Sequence, residues 1–123
     1  MVGEQMEKES IKNKIIHFDN KIDESKRIIK QLNKLEDDFL LLDKSFGKCL
    51  SLLAASIKGR KVSVILDQSS EVKNKCINES LSIIGKNKDK IYNVMQEDIK
   101  NKEKLEKDYK KSLEKDKKQN NVS

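Results

Sequence analysis

The chain has 123 residues and a formal net charge of +6 at pH 7; 39% of its residues are charged, 35% are hydrophobic, and Pro and Trp are absent. So little apolar material excludes a broad globular core. Two classes remain: a disordered chain, or long helices that meet along narrow apolar seams. No apolar run reaches the roughly 18–20 residues that cross a bilayer, and the N-terminus lacks the cationic start and apolar run of a cleaved signal peptide. We therefore expect a cytoplasmic chain without a membrane span or a cleaved leader.

The first arm has a helical period. Its apolar residues recur in alternating steps of three and four, which an α-helix gathers on one side. Leu35 and Leu42 lie beside this stripe, where Glu36 and Asp43 interrupt it. The pattern predicts a helix over about residues 5–57 whose widened stripe contacts more than one neighbour. Its two heptad-spaced sets are Ile11, Phe18, Ser25, Leu32, Phe39, Phe46 and Leu53, and Ile15, Ile22, Ile29, Glu36, Asp43, Leu50 and Ile57.

A turn is predicted at about residues 58–63, near the middle of the chain. Gly59 suits the left-handed backbone conformation that ends many helices, and Ser63 suits the N-cap position of the next helix. Two arms of similar length that are joined by a short turn predict an antiparallel pair.

The second arm, over about residues 64–117, has a weaker apolar stripe with a polar gap after Gly85. The gap predicts either a helix that continues or kinks through Gly85, or a break there that starts a third helix; the absence of Pro favours the first. Residues 119–123 are predicted to be a flexible tail. The stripe consists of Val62, Leu66, Ser69, Val72, Cys76, Ser80, Ile83 and Ile84, and then Ile91, Met95, Ile99, Leu105, Tyr109 and Leu113.

The sequence therefore predicts an all-α fold, a long antiparallel two-helix hairpin that resembles a coiled coil. Residues 1–118 form this hairpin as a single domain, and a kink or break near Gly85 is the open point. Cys49 and Cys76 match no metal-binding spacing, so we expect both to be small apolar residues of the seam.

The sequence offers no candidate catalytic, metal-binding or cofactor-binding residues. His17 is the only histidine, no glycine-rich phosphate loop occurs, and Asp37-Asp38 fits a solvated helix face. We therefore expect a protein that is not an enzyme and takes no cofactor. Residues 99–118 carry nine Lys against five acidic residues, which leaves nucleic-acid binding as an alternative. The interleaved acids disfavour it, because phosphate binding needs positive charge concentrated on one face.

A hairpin of this length whose turn follows a large apolar residue, here Ile57-Lys58-Gly59, resembles the WXG-motif proteins of bacterial type VII secretion. Within that group it looks most like the small helical partners of LXG toxins in Gram-positive bacteria. The resemblance implies a targeting chaperone that binds the helical N-terminal domain of such a toxin, with a second small helical protein as a further candidate partner. It also implies that the chain is exported, if at all, with its partner. Neither Tyr92 nor Tyr109 is followed four residues on by the acidic residue of the family's export signal.

The expected function is thus that of a non-enzymatic adaptor. A self-associating coiled-coil protein is the alternative, because a two-helix hairpin leaves apolar residues beside its seam that a second copy could cover. The residues expected to form the turn motif are Ile57 and Gly59. Those expected to bind the partner are Ile11, Ile15, Phe18, Ile22, Leu35, Phe39, Leu42, Phe46, Ile91, Met95, Leu105 and Tyr109.

Overall fold

A computed structural model describes the backbone of residues 2–56 and 60–121 and the side chains of residues 7–56 and 63–117. All of the described backbone is helical, so the predicted all-α fold is confirmed. The predicted turn motif, Ile57 and Gly59, lies outside the described residues. Helix α1 spans Val2–Ser56, α2 spans Arg60–Lys73, a π-helical turn spans Asn74–Asn78, and α3 spans Glu79–Asn121.

The second arm is longer than the sequence predicts. Arg60 opens α2, so the last four residues of the predicted turn, 60–63, are already helical. At the other end α3 continues to Asn121, where the sequence predicts a tail from residue 119. The absence of Pro permits such long helices, because every residue can donate a backbone hydrogen bond.

The chain divides into two compact units, each made from a piece of both arms. Unit 1 combines Met1–Ile28 with Ile91–Ser123, and unit 2 is Ile29–Lys90. In each unit the ion pairs between the arms join later residues of α1 to earlier residues of the second arm. The arms of each unit are therefore antiparallel, and the predicted hairpin is confirmed. The pairs are Lys8–Asp116 and Asp19–Lys102 in unit 1, and Glu36–Lys88 and Asp43–Lys73 in unit 2.

The seam of α1 follows the two predicted heptad sets. We call the set that contains Ile22 and Ile29 position a and the set that contains Ser25 position d, and we letter the other positions accordingly. Ile22, Ser25 and Ile29 are buried, and the remaining a and d residues from Lys8 to Leu53 are half-buried. The seam is narrow: the buried apolar side chains of the described residues are Ile22, Ile29, Ile77, Ile84 and Met95.

Helix α3 continues through Gly85, so the predicted alternative of a break at that residue is wrong. A Cβ atom at Gly85 would meet no atom within 4 Å, and no close contact therefore requires glycine there. From Ile84 to Asp116 the seam keeps a regular heptad spacing in which every a and d residue is buried or half-buried. The irregular point of the second arm is the π turn, which precedes Gly85.

Candidate partner-binding face

The π turn shifts the seam of the second arm by one residue. Before the turn, Leu66, Ser69 and Lys73 occupy positions a, d and a. After it, Ile77 occupies position d. The spacing from Lys73 to Ile77 is four residues, whereas a regular heptad has three residues from position a to the next position d. A π-helical turn contains one residue more than an α-helical turn, so it absorbs the extra residue without ending the helix. Ile77 and Ile84 are consequently buried at 4% exposure each.

Three hydrogen bonds support the π turn. The backbone N–H of Glu79 donates to the carbonyl of Asn74, which is the five-residue spacing of a π-helix. The Asn78 side-chain amide donates to the Asn74 side-chain oxygen at 2.7 Å, and the Ser80 hydroxyl donates to the Cys76 carbonyl at 2.5 Å. These hydrogen bonds all lie within residues 74–80, and Lys73 and Glu79 on either side of the turn keep right-handed helical backbone angles.

The same shift turns a second set of apolar residues outward. Cys76 and Ile83 each precede a seam residue and fall at position c, and both are exposed, Ile83 at 58%. Ile65 and Val72, at position g before the π turn, are also exposed. The prediction that Val72, Cys76 and Ile83 belong to the seam stripe is therefore wrong, because the spacing of the seam changes by one residue between Lys73 and Ile77.

Helix α1 presents a matching row. Leu35 and Leu42 occupy position g and Leu52 occupies position c, and all three are exposed. Cys49, also at position g, is exposed as well, so the expectation that both cysteines lie in the seam is wrong. The g position borders the seam, and a heptad places the next c residue beside it.

The rows of the two arms lie on the same side of unit 2, because the g rows of an antiparallel helix pair border the seam together. A groove lined by Phe46 of α1 and by Ile65, Gln68, Ser69 and Val72 of α2 lies on this side. None of its lining residues is charged. We call this surface the open face and define it by Leu35, Leu42, Leu52, Ile65, Val72 and Ile83.

Two ion pairs cross the seam in unit 2. Lys88 Nζ donates a hydrogen bond to Glu36 Oε2 at 3.1 Å, and Lys73 Nζ lies 3.2 Å from Asp43 Oδ1, which is buried from solvent. All four residues occupy position a, so each acid that interrupts the apolar set of α1 meets a lysine of the other arm. Polar residues at such positions favour one register over its neighbours, since a slip would separate the charges.

Unit 1 also has ion pairs between its arms; Lys8, Asp116 and Lys102 occupy position a, and Asp19 occupies position e beside the seam. Lys8 pairs with Asp116, and Lys102 Nζ lies 2.5 Å from Asp19 Oδ1 and 3.6 Å from Glu106 Oε1. The hydrogen bond with Asp19, aided by the charges of Asp19 and Glu106, raises the pKa of Lys102 above its ordinary value against a smaller opposing effect of burial. These contacts hold unit 1 in register without adding apolar surface.

The predicted partner-binding residues divide into two groups. Leu35 and Leu42 lie on the open face, and Phe46 lines its groove from the seam. The others face the seam of their unit: Ile22 and Met95 are buried, and the half-buried residues are Ile11, Ile15, Phe18, Phe39, Ile91, Leu105 and Tyr109. Sequence reasoning did not assign Leu52, Ile65, Val72 or Ile83 to partner binding. The signal available in the sequence was the spacing of four residues from Lys73 to Ile77, which departs from the heptad step of three and indicates a change of register.

Within the described residues no group of three or more His, Cys, Asp or Glu side chains could hold a metal ion, and no helix there is long and apolar enough to cross a bilayer. Comparison with protein-family models, with curated proteins and with solved structures finds no match to this chain.

Proposed function

We propose that this chain is a non-enzymatic helical adaptor that binds another helix along the open face of unit 2. The observation that carries the proposal is the concentration of exposed apolar side chains. Of the thirteen large apolar residues that are exposed in the described part of the chain, nine lie in unit 2, and six of these form the open face. Covering apolar surface is worth about 25 cal/mol per Å², so a partner helix gains most at this side.

The arrangement of the open face favours a helix over other partners. Leu35 and Leu42 are one heptad apart on α1, and Ile65 and Val72 are one heptad apart on α2. A third helix with apolar residues at heptad spacing would pack into the groove between the two arms, as helices do in bundles. The row from Leu35 to Leu52 extends over about 26 Å at 1.5 Å per residue, which corresponds to roughly five helical turns of a partner.

The client that we propose is the helical N-terminal domain of an LXG-type toxin, for which this chain would act as a targeting chaperone in type VII secretion. Support comes from the resemblance carried by Ile57-Lys58-Gly59 and the two long arms. A helical client also suits a face built from heptad-spaced apolar residues. Export of this chain, where it occurs, would follow binding to the client.

The test is co-expression with the product of a neighbouring gene that encodes a long helical N-terminus and a toxic C-terminus. Leu42→Glu places a charge on the open face and is expected to reduce co-purification at least tenfold. Ile16→Glu is the matched control, because Ile16 of unit 1 is 49% exposed and Leu42 is 52% exposed. Equal co-purification of both variants with the client would refute the open face as the binding site.

The oligomeric state of the isolated protein distinguishes self-association from this proposal. The adaptor should remain a monomer in light scattering at micromolar concentration until the client is added. A stable dimer of the wild-type chain that Leu42→Glu converts to a monomer, with no complex formed with the client, would replace the adaptor by a self-associating coiled-coil protein.

A further inference from the structure

The open face is almost free of charged side chains. Positions g and c border it on both arms, and across unit 2 the charged residues that the structure describes at these positions are Asp38 and Lys90. Lys75 lies inside the π turn, where the register changes. Since 39% of the residues of this chain are charged, the face is depleted of charge. Asp38 and Lys90 both lie farther from the turn than Leu42 and Val72.

The half of the open face nearer the turn consists of Leu42, Leu52, Ile65 and Val72, and we call it the neutral half. Within residues 42–56 and 63–72 no side chain at position g or c is charged. The charged residues of these stretches occupy the seam or the sides of the helices away from the face. Asp43 pairs with Lys73 at position a, Lys44 and Asp67 occupy position b, and Lys48 and Glu71 occupy position f.

Unit 1 has many charged residues at the same heptad positions. The depletion therefore belongs to the open face and is not a property of positions g and c throughout the chain. The exposed charged residues at these positions in unit 1 include Lys14, Lys21 and Glu24 on α1, and Glu97, Lys104 and Lys111 on α3.

An uncharged face selects against charged flanks on the helix that covers it. A helix in the groove brings the residues beside its apolar stripe against uncharged side chains such as Ser45 and Gln68. A charged flanking residue would lose part of its hydration there and would meet no opposite charge, which weakens binding. An uncharged polar flank loses less, because hydroxyl and amide groups can hydrogen-bond with Ser45 and Gln68.

A second copy of the chain meets these requirements poorly. The groove beside Phe46 lies between two helices, and the side-chain ridge of one helix fills such a groove. Two copies of the open face would set one groove against the other. The flanking rows of unit 1 would bring charged side chains against the neutral half. A single helix of another protein is therefore the better occupant.

We infer that the occupant of the open face is an amphipathic helix of another protein whose apolar heptad stripe is flanked by uncharged polar residues where it covers the neutral half. The inference rests on the proposed function, because it specifies the chemistry of the helix that the adaptor binds. Apolar burial drives this association, and charge contributes little. The affinity is therefore nearly independent of salt.

Three synthetic helical peptides of three heptads test this chemistry. They carry the same Leu and Ile residues at positions a and d, and they differ only in having Gln, Glu or Lys at positions e and g. These three residues have similar helix propensities, so the peptides differ mainly in charge. The Gln peptide is expected to bind the wild-type chain about tenfold more tightly than either charged peptide. Its affinity should change by less than about twofold from low to high salt.

A charge placed on the face should change which peptide binds. Gln68 is exposed at position c of α2 and lines the groove. Gln68→Lys is expected to shift the preference from the Gln peptide toward the Glu peptide, whose flanks then meet an opposite charge. The matched control is Gln96→Lys, the same substitution at an exposed glutamine of unit 1, which should leave the preference unchanged. Circular dichroism of each variant establishes that the helices are retained.

The two cysteines report where the peptide binds. Cys49 lies one heptad after Leu42 and Cys76 lies four residues after Val72, and both are exposed. A helix on the open face covers them, so the Gln peptide should slow their alkylation by iodoacetamide in proportion to its occupancy. The Lys peptide at the same concentration is the control and should slow it much less.

Several outcomes would overturn the inference. Equal or tighter binding of the Glu or the Lys peptide to the wild-type chain is one, and an affinity of the Gln peptide that falls steeply with salt is another. A preference that Gln68→Lys leaves unchanged, or that Gln96→Lys shifts equally, would also contradict it. Absence of binding by all three peptides would show that the face takes no helix of this kind. A wild-type dimer that the Gln peptide does not dissociate would assign the face to a second copy.

Failure of the inference is distinguishable from failure of the proposed function. If the toxin domain co-purifies and depends on Leu42 while the three peptides do not differ, the adaptor stands and the uncharged flanks are wrong. If the Gln peptide binds selectively and no toxin domain co-purifies, the chemistry of the occupant stands and the proposed client is wrong.

Discussion

Unit 1 and unit 2 are both pairs of antiparallel helical segments with a heptad seam. They differ in the arrangement of the exposed apolar residues that lie outside this seam. In unit 1 the exposed large apolar residues are scattered over positions b, e and g: Ile16, Tyr92, Val94 and Leu113. In unit 2 six of the nine form rows on one side of both arms. The two units thus differ at the positions that flank the seam, and these positions decide how much apolar surface a helix pair leaves exposed on one side.

The surface depressions of the two units differ in the same way. In unit 1 they are lined largely by charged side chains, among them Lys8, Glu9 and Lys12 around Tyr109. In unit 2 the groove beside Phe46 has only apolar and uncharged polar lining. Water solvates the first kind of surface well and the second poorly, so unit 2 has more to gain from a partner.

One-residue deletions should produce the largest difference between the two units in the free energy of unfolding. Deleting Lys100 from unit 1 moves Lys102, Leu105 and Tyr109 off the seam, because the heptads there contain no spare residue. We expect a loss of about 3 kcal/mol or more in the free energy of unfolding. Deleting Lys75 from the π turn of unit 2 should cost nothing or stabilise the chain, because it restores the heptad step of three from Lys73 to Ile77 by leaving two residues between them.

Urea unfolding followed by circular dichroism measures both deletions under the same conditions. Equal destabilisation by the two deletions would mean that the π turn is required by the fold and does not merely absorb an extra residue.

Neighbouring isoleucines test the distinction between seam and open face inside unit 2. Ile84→Ala should lower the free energy of unfolding by about 2–4 kcal/mol, because the side chain is buried and its removal leaves a cavity. Ile83→Ala should change it by about 0.5 kcal/mol or less, because the side chain is more than half exposed. Comparable losses from the two substitutions would contradict the register set by the π turn; thermal unfolding of the two variants decides it.

The smallest expected effect is a gain. Gly85→Ala and Gly47→Ala should each raise the free energy of unfolding by about 0.5–1 kcal/mol, because alanine favours the helix and neither added Cβ meets an atom within 4 Å. Both glycines belong to unit 2, so the gain would show how far its helices can be stiffened without changing the open face. A loss of stability in either variant, seen by chemical unfolding, would indicate a contact that requires glycine.

Much of the fold was predictable from the sequence, because the seam of α1 follows one uninterrupted period. The structure confirms the predicted a and d sets from Ile11 to Leu53, including Glu36 and Asp43. The lysines that pair with these two acids lie on the other arm, so a local pattern in the first arm cannot identify them. The candidate face was predicted only in part. Leu35 and Leu42 stand beside the α1 stripe in the sequence, whereas Val72 and Ile83 looked like seam residues of the second arm.

The sequence by itself determined that the chain is helical and that its arms are long. Only the tertiary structure decided which apolar residues of the second arm face inward. Cys76 and Ile77 are adjacent, as are Ile83 and Ile84. In each pair the first residue would fall on the seam in one heptad register and the second residue in the other. Neither register is excluded locally, since both keep helical spacing on their own side of the π turn. Packing against α1 selects between them, because residues from Ile84 to Asp116 reach the seam only if one residue is absorbed at Asn74–Asn78.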